Sequence, residues 1–160
     1  MEKDSEIEGI NDSKKISEKK RDKLYDEIIQ KAVAWSVGVV DHDEIDEINI
    51  LNATKKALTK AIKNLKVRPD ILLVDALSDI DTLGIPYKSI IKGDELVYSI
   101  SCGSIIAKVT RDKMMQEYDA MYPGYDFSIH KGYGTKKHIQ AIKEKGICEI
   151  HRKSFVKNFI

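Results

Sequence analysis

The stretch that decides the fold is Ile71-Leu72-Leu73-Val74-Asp75, a short apolar run that follows Pro69-Asp70 and ends in an acid. Continuous apolar runs of this length are typical of strands that are buried on both faces in a parallel sheet. A second run, Tyr87 to Ile91, predicts a neighbouring strand and leads directly into Lys92-Gly93-Asp94. Because open α/β sheets bind ligands at the carboxyl ends of their strands, we expect Asp75 and Asp94 to converge at one edge of the sheet.

The segments upstream of these strands predict two helices and one further strand. Ser17 is expected to cap a helix that runs to about Gln30. Large residues alternate with smaller ones from Ala34 to Val40, which predicts a strand. Apolar residues then keep a helical period from about Asn49 to Leu65, which predicts a longer helix.

The downstream part of the chain is expected to be mainly helical. Residues from Ser99 to about Met121 predict a helix in two pieces that ends before Pro123. Thr135 is expected to cap a last regular helix that stops near Gly146. The order α, β, α, β, β, α, α predicts the α/β class, and the length of 160 residues fits a single domain over residues 1–160.

The composition is that of a soluble globular protein, with 42% hydrophobic and 33% charged residues. No apolar run approaches the length needed to span a bilayer, and the polar start at Met1 to Asp4 lacks the apolar core of a signal peptide. We therefore expect a cytoplasmic protein with no membrane partner. In that compartment Cys102 and Cys148 should be free thiols.

The net charge of +1 hides an uneven distribution of charge. Acids concentrate between Asp41 and Glu47, whereas basic residues cluster in two segments, one early and one in the last third: Lys14, Lys15, Lys19, Lys20 and Arg21, then Lys131, Lys136, Lys137, Lys143, Lys145, Arg152 and Lys153. Two basic segments in a nearly neutral chain favour a localised surface that faces phosphates. The same pattern also fits solvated helix faces.

The two strand-end acids admit two interpretations. Neighbouring carboxylates repel each other unless they are protonated or bridged by cations, and Mg²⁺ is a usual bridge. Asp75 and Asp94 could equally be helix caps or turn residues. Their spacing alone leaves both interpretations open.

The wider sequence carries a family resemblance in a series of short motifs. In order, the motifs are Gly9-Ile10-Asn11-Asp12-Ser13-Lys14-Lys15-Ile16-Ser17, the segment from Asp46 to Thr54, Leu72 to Asp75, Lys92-Gly93-Asp94, the segment from Ser101 to Asp112, Tyr122-Pro123, the segment from His130 to Thr135, and His151-Arg152-Lys153-Ser154-Phe155. They resemble the successive motifs of bacterial ribonuclease HII. The resemblance covers nearly the whole chain.

The resemblance implies a ribonuclease H-like fold, with a mixed sheet flanked by helices, and a site of four acids that binds two Mg²⁺ or Mn²⁺ ions. Asp75 and Asp94 match two of the four acids. The other two would be an adjacent Asp-Glu pair on the first strand, followed by a Gly-Arg-Gly loop, and the 160 residues contain no such string. We therefore expect a chain that is incomplete at its N-terminus and lacks half of the metal ligands.

The resemblance also implies substrate-binding residues. Asn11, Ser13, Lys14 and Lys15 match the family's phosphate-contacting loop, and cationic heads and short polar donors suit phosphate oxygens. On residues alone, a solvated loop before a helix would explain them as well.

Three residues further along the chain are also assigned to the substrate. Tyr133 lies between Gly132 and Gly134 and resembles the family tyrosine that packs on the sugar beside the ribonucleotide. An aromatic side chain in a basic, glycine-rich loop suits stacking. Ser104 and Lys108 form an i,i+4 pair that is expected to face the site or its substrate.

Two other possible metal sites are less favoured. Asp112 stands beside Arg111, and an ion pair or a structural role is the preferred interpretation because Asp94 already matches the fourth acid. A zinc set could be drawn from Cys148, His130, His138 and His151, but these residues lack a paired Cys-x-x-Cys motif.

The function implied by the resemblance is that of an endoribonuclease. It would degrade the RNA of RNA-DNA hybrids and cut 5′ of ribonucleotides embedded in duplex DNA, by two-metal-ion hydrolysis. The alternative is a catalytically incompetent fragment that binds nucleic acid, since two of four acids are matched. A nucleotide-using α/β enzyme is disfavoured because no glycine-rich phosphate loop follows a strand. Strand edges left unpaired would favour self-association.

Overall fold

The structure, a computed structural model, describes residues 7–159. This range contains helices and a pair of consecutive strands, which confirms the α/β class. The elements are α1 (Glu18–Lys31), α2 (His42–Asn64), β1 (Leu72–Asp75), β2 (Tyr87–Ile90), α3 (Gly93–Leu96), α4 (Tyr98–Met121), α5 (Phe127–His130), α6 (Lys136–Lys145) and α7 (Lys153–Val156).

The two strands pair in parallel, as predicted, with Leu72 opposite Tyr87 and Asp75 opposite Ile90. The expected burial on both faces is wrong, because Val74 is the one buried residue of the two strands and 37% of Leu73 is exposed. Within residues 7–159 the sheet is two strands wide, so both strands are edge strands. The antiparallel part of the expected mixed sheet is likewise absent from this range.

The predicted strand from Ala34 to Val40 is also wrong, since this segment is neither helix nor strand. It lies along α2 instead. The Ser36 hydroxyl donates to the carbonyl of Ala61 at 2.6 Å, and the Asn64 side-chain amide donates to the carbonyl of Val37 at 3.3 Å. An alternating pattern predicts a strand only where another backbone is available for pairing, and none pairs with this segment in the described range.

Two helix boundaries differ from the prediction. The helix expected from about Asn49 matches the part of α2 that follows a break at Asn49, whose backbone is non-helical (φ 66°, ψ 165°), and helical residues from His42 also precede this break. The apolar period therefore predicts the helix after the break, and it does not extend to the polar helical turns before the break. The helix expected in two pieces is the single, 24-residue α4.

The other helix predictions are confirmed. Ser17 holds the N-cap position of α1, although its side chain makes no capping hydrogen bond there. The Thr135 hydroxyl accepts a hydrogen bond from the backbone N–H of His138 at 3.3 Å, and α6 ends before Gly146. Both cysteines are free thiols, also as predicted. Among the described helices, none combines the length and apolar character needed to cross a membrane.

The chain divides into two compact units. The first comprises Met1–Val40 and Leu51–Val109, and the second comprises Asp41–Ile50 and Thr110–Ile160. The core of the first unit is apolar and is centred on Ile28, Ile105 and Val109. The core of the second unit is aromatic and contains Met115, Tyr125, Phe127 and Ala141. The single domain expected over residues 1–160 stays a prediction.

Candidate active site

Asp75 is the last residue of β1, and its side chain is exposed at the carboxyl end of the strand pair. Its Oδ1 accepts a hydrogen bond from the backbone N–H of Gly93 at 2.8 Å. A Cβ on residue 93 would lie 3.4 Å from the Asp75 Cα, an ordinary contact, and 2.6 Å from Cδ1 of Ile100, the movable end of a side chain. The turn after β2 therefore packs directly against the acid that ends β1.

Asp94 follows Gly93 in the first turn of α3. The chain reaches this position through Lys92, whose left-handed backbone (φ 56°) ends the extended run of β2. The Ser101 hydroxyl donates to the Asp94 carbonyl at 2.7 Å, which ties α3 to the start of α4. The structure thus places Asp75 and Asp94 at the same edge of the sheet, with the Asp75 carboxylate bonded to the residue that precedes Asp94.

The predicted phosphate-contacting loop lies beside these acids. The ammonium of Lys14 is 3.7 Å from Oδ2 of Asp94, and the ammonium of Lys15 is 2.9 Å from Oε1 of Glu95. The hydrogen bond to Glu95 raises the pKa of Lys15 above its ordinary value. The Lys14 side chain is 79% exposed, so its cationic head remains accessible to other anions.

The loop has a defined backbone conformation. A carboxylate oxygen of Asp12 accepts a hydrogen bond from the N–H of Lys14 at 3.0 Å, and its carbonyl accepts one from the N–H of Lys15 at 2.9 Å. Arg21, on α1, donates to the carbonyl of Ser13 at 2.9 Å and to that of Ile16 at 2.6 Å. These bonds fix where both lysine side chains leave the backbone.

Ser13 and Ser104 contact each other. Their hydroxyl oxygens are 2.8 Å apart, and Ser13 is buried. Lys108 lies one helical turn beyond Ser104 on α4, and its side chain is partly buried. Asn11 is exposed, and its side-chain oxygen accepts a hydrogen bond from the N–H of Asp12 at 2.7 Å.

Eight of the nine predicted site residues belong to the first unit: Asn11, Ser13, Lys14, Lys15, Asp75, Asp94, Ser104 and Lys108. Tyr133 belongs to the second unit, where 60% of its surface is exposed in the loop between α5 and α6. That exposure is compatible with stacking on a ligand.

Three residues that organise this site were not predicted. Asp12 and Arg21 hold the backbone of the lysine loop, and Gly93 bonds to Asp75. For Asp12, the signal was an acid two residues before Lys14, a common start for a side-chain-stabilised turn. The contact between Gly93 and Asp75 depends on the strand register.

The donor chemistry at the sheet edge fits hard divalent cations in part. Carboxylate oxygens are suitable ligands for Mg²⁺, and Asp75 and Asp94 supply them from one place. In residues 7–159 no group of three or more His, Cys, Asp or Glu side chains could hold a metal ion. The residues present therefore provide part of a metal site and do not complete one.

Comparison with known proteins identifies the family. The family model described as Ribonuclease HII matches residues 2–158. The ribonuclease HII of Acetivibrio thermocellus is 58% identical over 154 residues, which are 96% of this chain and 60% of that protein. The ribonuclease HII of Clostridioides difficile is 54% identical over 160 residues, which are 100% of this chain and 62% of that protein. The chain thus spans about 60% of the length of these relatives.

Solved structures share the fold. The ribonuclease H2 of Pyrococcus horikoshii superposes with a TM-score of 0.75 at 23% identity, covering 94% of this chain and 80% of that one. A chain of the PCNA:RNase HII complex of Archaeoglobus fulgidus gives a TM-score of 0.71 with the same identity and coverage. These likenesses extend to the architecture alone. The matched family model, with the identities above, establishes that the chain belongs to the ribonuclease HII family.

Proposed function

We propose that this chain is part of an endoribonuclease that degrades the RNA of RNA-DNA hybrids and cuts 5′ of ribonucleotides embedded in duplex DNA. The observation that carries the proposal is the grouping of Asp75 and Asp94 with the Lys14 loop in a chain of the ribonuclease HII family. An acidic pair suits cations, and the neighbouring lysines suit the phosphates of a nucleic-acid strand.

The proposed roles divide between the two acids and the loop. Asp75 and Asp94 would supply two of the carboxylates that hold Mg²⁺ or Mn²⁺. When bound, such ions activate water and stabilise the leaving oxygen of a phosphodiester. Lys14 now lies 3.7 Å from Asp94, and its own side chain is 79% exposed, so water and other ions compete for its ammonium and the pair is weak. Lys14 is therefore available for a phosphate when a cation takes its place beside Asp94.

The remaining residues would position the nucleic acid. Asn11, Ser13 and Lys15 lie on the same loop as Lys14, and we assign them to the phosphate backbone. Ser104 and Lys108 extend this assignment along α4. Tyr133 would stack on the sugar or base beside the ribonucleotide, since its ring is exposed.

The second candidate function is nucleic-acid binding without cleavage. The number of acidic residues favours it. The described residues bring together two carboxylates, those of Asp75 and Asp94, whereas the family resemblance implies four. Two ligands would hold cations loosely and leave the attacking water poorly positioned. We expect the 160-residue chain to bind a ribonucleotide-containing duplex and to cleave it little or not at all.

A cleavage assay separates the two functions. The substrate is a DNA duplex with a single ribonucleotide, incubated with Mg²⁺ or Mn²⁺ and resolved by gel, while fluorescence anisotropy measures binding. A longer chain that adds a strand with an adjacent Asp-Glu pair and a Gly-Arg-Gly loop should cleave. In that longer chain D75N and D94N should abolish turnover, and D26N, which alters an exposed acid on α1, should leave it unchanged. Robust turnover by the 160 residues alone would contradict the expected loss of activity.

We also propose a cytoplasmic protein that self-associates through its exposed strand pair. Leu73 lies in β1 and Ile71 immediately precedes it, and both side chains are exposed. An open strand edge with apolar side chains recruits other strands.

A further inference from the structure

Three buried histidines surround the loop that carries Tyr133. His130, His138 and His151 are exposed by 6%, 5% and 4% respectively. The rings of His130 and His138 stack with centroids 4.2 Å apart, and Nε2 of His138 is 3.2 Å from Nε2 of His151. Phe127 packs against all three rings. Buried polar rings in aromatic surroundings require hydrogen-bond partners, so each nitrogen should have a defined role.

The partners determine the protonation of His138 and His151. Nδ1 of His138 is 3.0 Å from the carbonyl of Tyr133, which can only accept, so this nitrogen carries the proton. In a neutral ring Nε2 of His138 is then an acceptor, and His151 must donate to it from its own Nε2. Nδ1 of His151 is left as an acceptor for the backbone N–H of Cys148 at 2.9 Å, which is closer than the Cys148 carbonyl at 3.2 Å. The bonds therefore run in one direction, from Cys148 through both rings to Tyr133.

His130 holds the other side of the same loop. Its Nε2 is 2.6 Å from the carbonyl of Tyr125 and must donate, so its Nδ1 accepts from the N–H of Gly132 at 3.2 Å. The N–H of Gly132 and the carbonyl of Tyr133 are thus each hydrogen-bonded to a histidine ring. The side chain of Tyr133, by contrast, is 60% exposed. The histidines fix the backbone from which this ring projects.

We propose that His130, His138 and His151 are positioning residues that hold the Tyr133 ring in the orientation needed to stack on the nucleic acid. This proposal rests on the proposed function, which assigns Tyr133 to the substrate. The histidines themselves do not touch the substrate. They act through the backbone of residues 132 and 133, and their hydrogen bonds require all three rings to be neutral.

The surroundings favour neutral rings. Burial lowers the pKa of His138 and of His151, and the neighbouring histidines lower both further. Other titratable groups also face the cluster: His42 from α2, Asp119 from α4, the Tyr125 ring, whose centroid is 5.2 Å from that of His151, and the Cys148 thiol, whose sulfur is 3.0 Å from Nδ1 of His151. Protonation of Nε2 of His138 or of Nδ1 of His151 would place two donors opposite each other and break that hydrogen bond. Acid should therefore loosen the loop.

Nitrogen-15 NMR of the full chain tests the hydrogen-bond direction without any substrate. The sequence contains four histidines, so a two-bond ¹H–¹⁵N correlation spectrum can be assigned by substitution. At pH 7.5 we expect His138 to carry its proton on Nδ1, and His130 and His151 to carry theirs on Nε2. The Nδ1–H signal should vanish in H138N and persist in H42Q. A charged His138, or one with the proton on Nε2, would overturn the proposal.

Binding of a fluorescein-labelled DNA duplex with one ribonucleotide tests the action on Tyr133. We expect H138F to weaken binding roughly 5- to 10-fold, and H138N, which keeps a donor near the Nδ1 position, to stay within about twofold of the unaltered chain. H138F should add nothing in a Y133A background, whereas it should add fully to K14A, which alters a different loop. Thermal melts of each variant show that it is folded.

The outcomes separate this inference from the proposed function. If H138F weakens binding equally with and without Tyr133, the histidines do not act through that ring and the positioning role is overturned. If the unaltered chain binds no duplex at all, the proposed function and the substrate role of Tyr133 both fail, and the NMR spectrum still decides the hydrogen-bond chain.

Discussion

The segment from residue 34 to residue 40 packs so closely on α2 that Gly38 should tolerate no side chain. A Cβ on residue 38 would lie 1.9 Å from the carbonyl oxygen of Ala57 and 2.7 Å from the backbone nitrogen of Ala61. Both atoms belong to the helix backbone and cannot rotate away, unlike the end of a flexible side chain. The G38A substitution must therefore push the segment away from α2 by more than about 1 Å, because such contacts normally exceed about 3 Å.

That displacement would break the bonds that attach the segment. The Ser36 hydroxyl would lose the carbonyl of Ala61, and the Lys60 ammonium would lose the carbonyl of Val39. A neutral hydrogen bond contributes about 1 kcal/mol, and overpacking alone destabilises by about 1 to 3 kcal/mol. We expect G38A to lower the free energy of unfolding by about 2 to 4 kcal/mol. For a chain of this size that corresponds to a melting temperature lower by roughly 5 to 15 °C.

Gly103 provides the matched control for this prediction. It lies within α4, and a Cβ there would meet nothing within 4 Å. G103A should therefore stabilise the helix by about 0.5 to 1 kcal/mol, since glycine is a poor helix former. Urea unfolding followed by circular dichroism measures both changes. A G38A variant as stable as the unaltered chain would show that the segment does not lie on α2 as described.

Three further outcomes test other parts of the structure. Burial holds the pKa of His138 and His151 below the ordinary 6.5, so the unfolded chain binds more protons than the folded one in weak acid. The free energy of unfolding should therefore be highest above about pH 6.5 and fall as the pH decreases below it. Urea midpoints that are as low at pH 7.5 as at pH 5.5 would contradict this. K14A should weaken duplex binding and reduce the slope of log affinity against log salt by about 1, as expected for one lost phosphate contact; an unchanged slope would remove Lys14 from the phosphate surface. L73K should shift sedimentation of the chain toward the monomer at high concentration, because a charge on β1 opposes pairing of exposed strands; association that persists unchanged would exclude this edge.

Much of the fold could be predicted because its signals are local. The run ending at Val74 is too short for a helix and too apolar for a loop, so it predicts a strand from a few residues. Thr135 and Gly146 mark the ends of α6 through capping preferences that depend only on neighbouring backbone. In each case the residues that determine the element are inside it or next to it.

The errors arose where the outcome depends on distant atoms. Residues 34–40 alternate as a strand should, yet pairing requires a second backbone that the described residues do not provide. The start of α2 at His42 was missed because the turns before Asn49 are mostly polar and carry no apolar period. The buried contact between Ser13 and Ser104 joins residues 91 positions apart, and no local pattern encodes it.

The candidate site combines both kinds of information. Strand order places Asp75 and Asp94 at one edge, because parallel strands end together, and that much follows from sequence. The turn after β2 brings the residue that precedes Asp94 into contact with Asp75. Lys92 takes a left-handed conformation after β2, and the Gly93 N–H donates to Oδ1 of Asp75 at 2.8 Å. The edge at which the two acids lie is therefore a property of the fold, whereas the hydrogen bond from the Gly93 N–H to Asp75 depends on the conformation of the turn after β2.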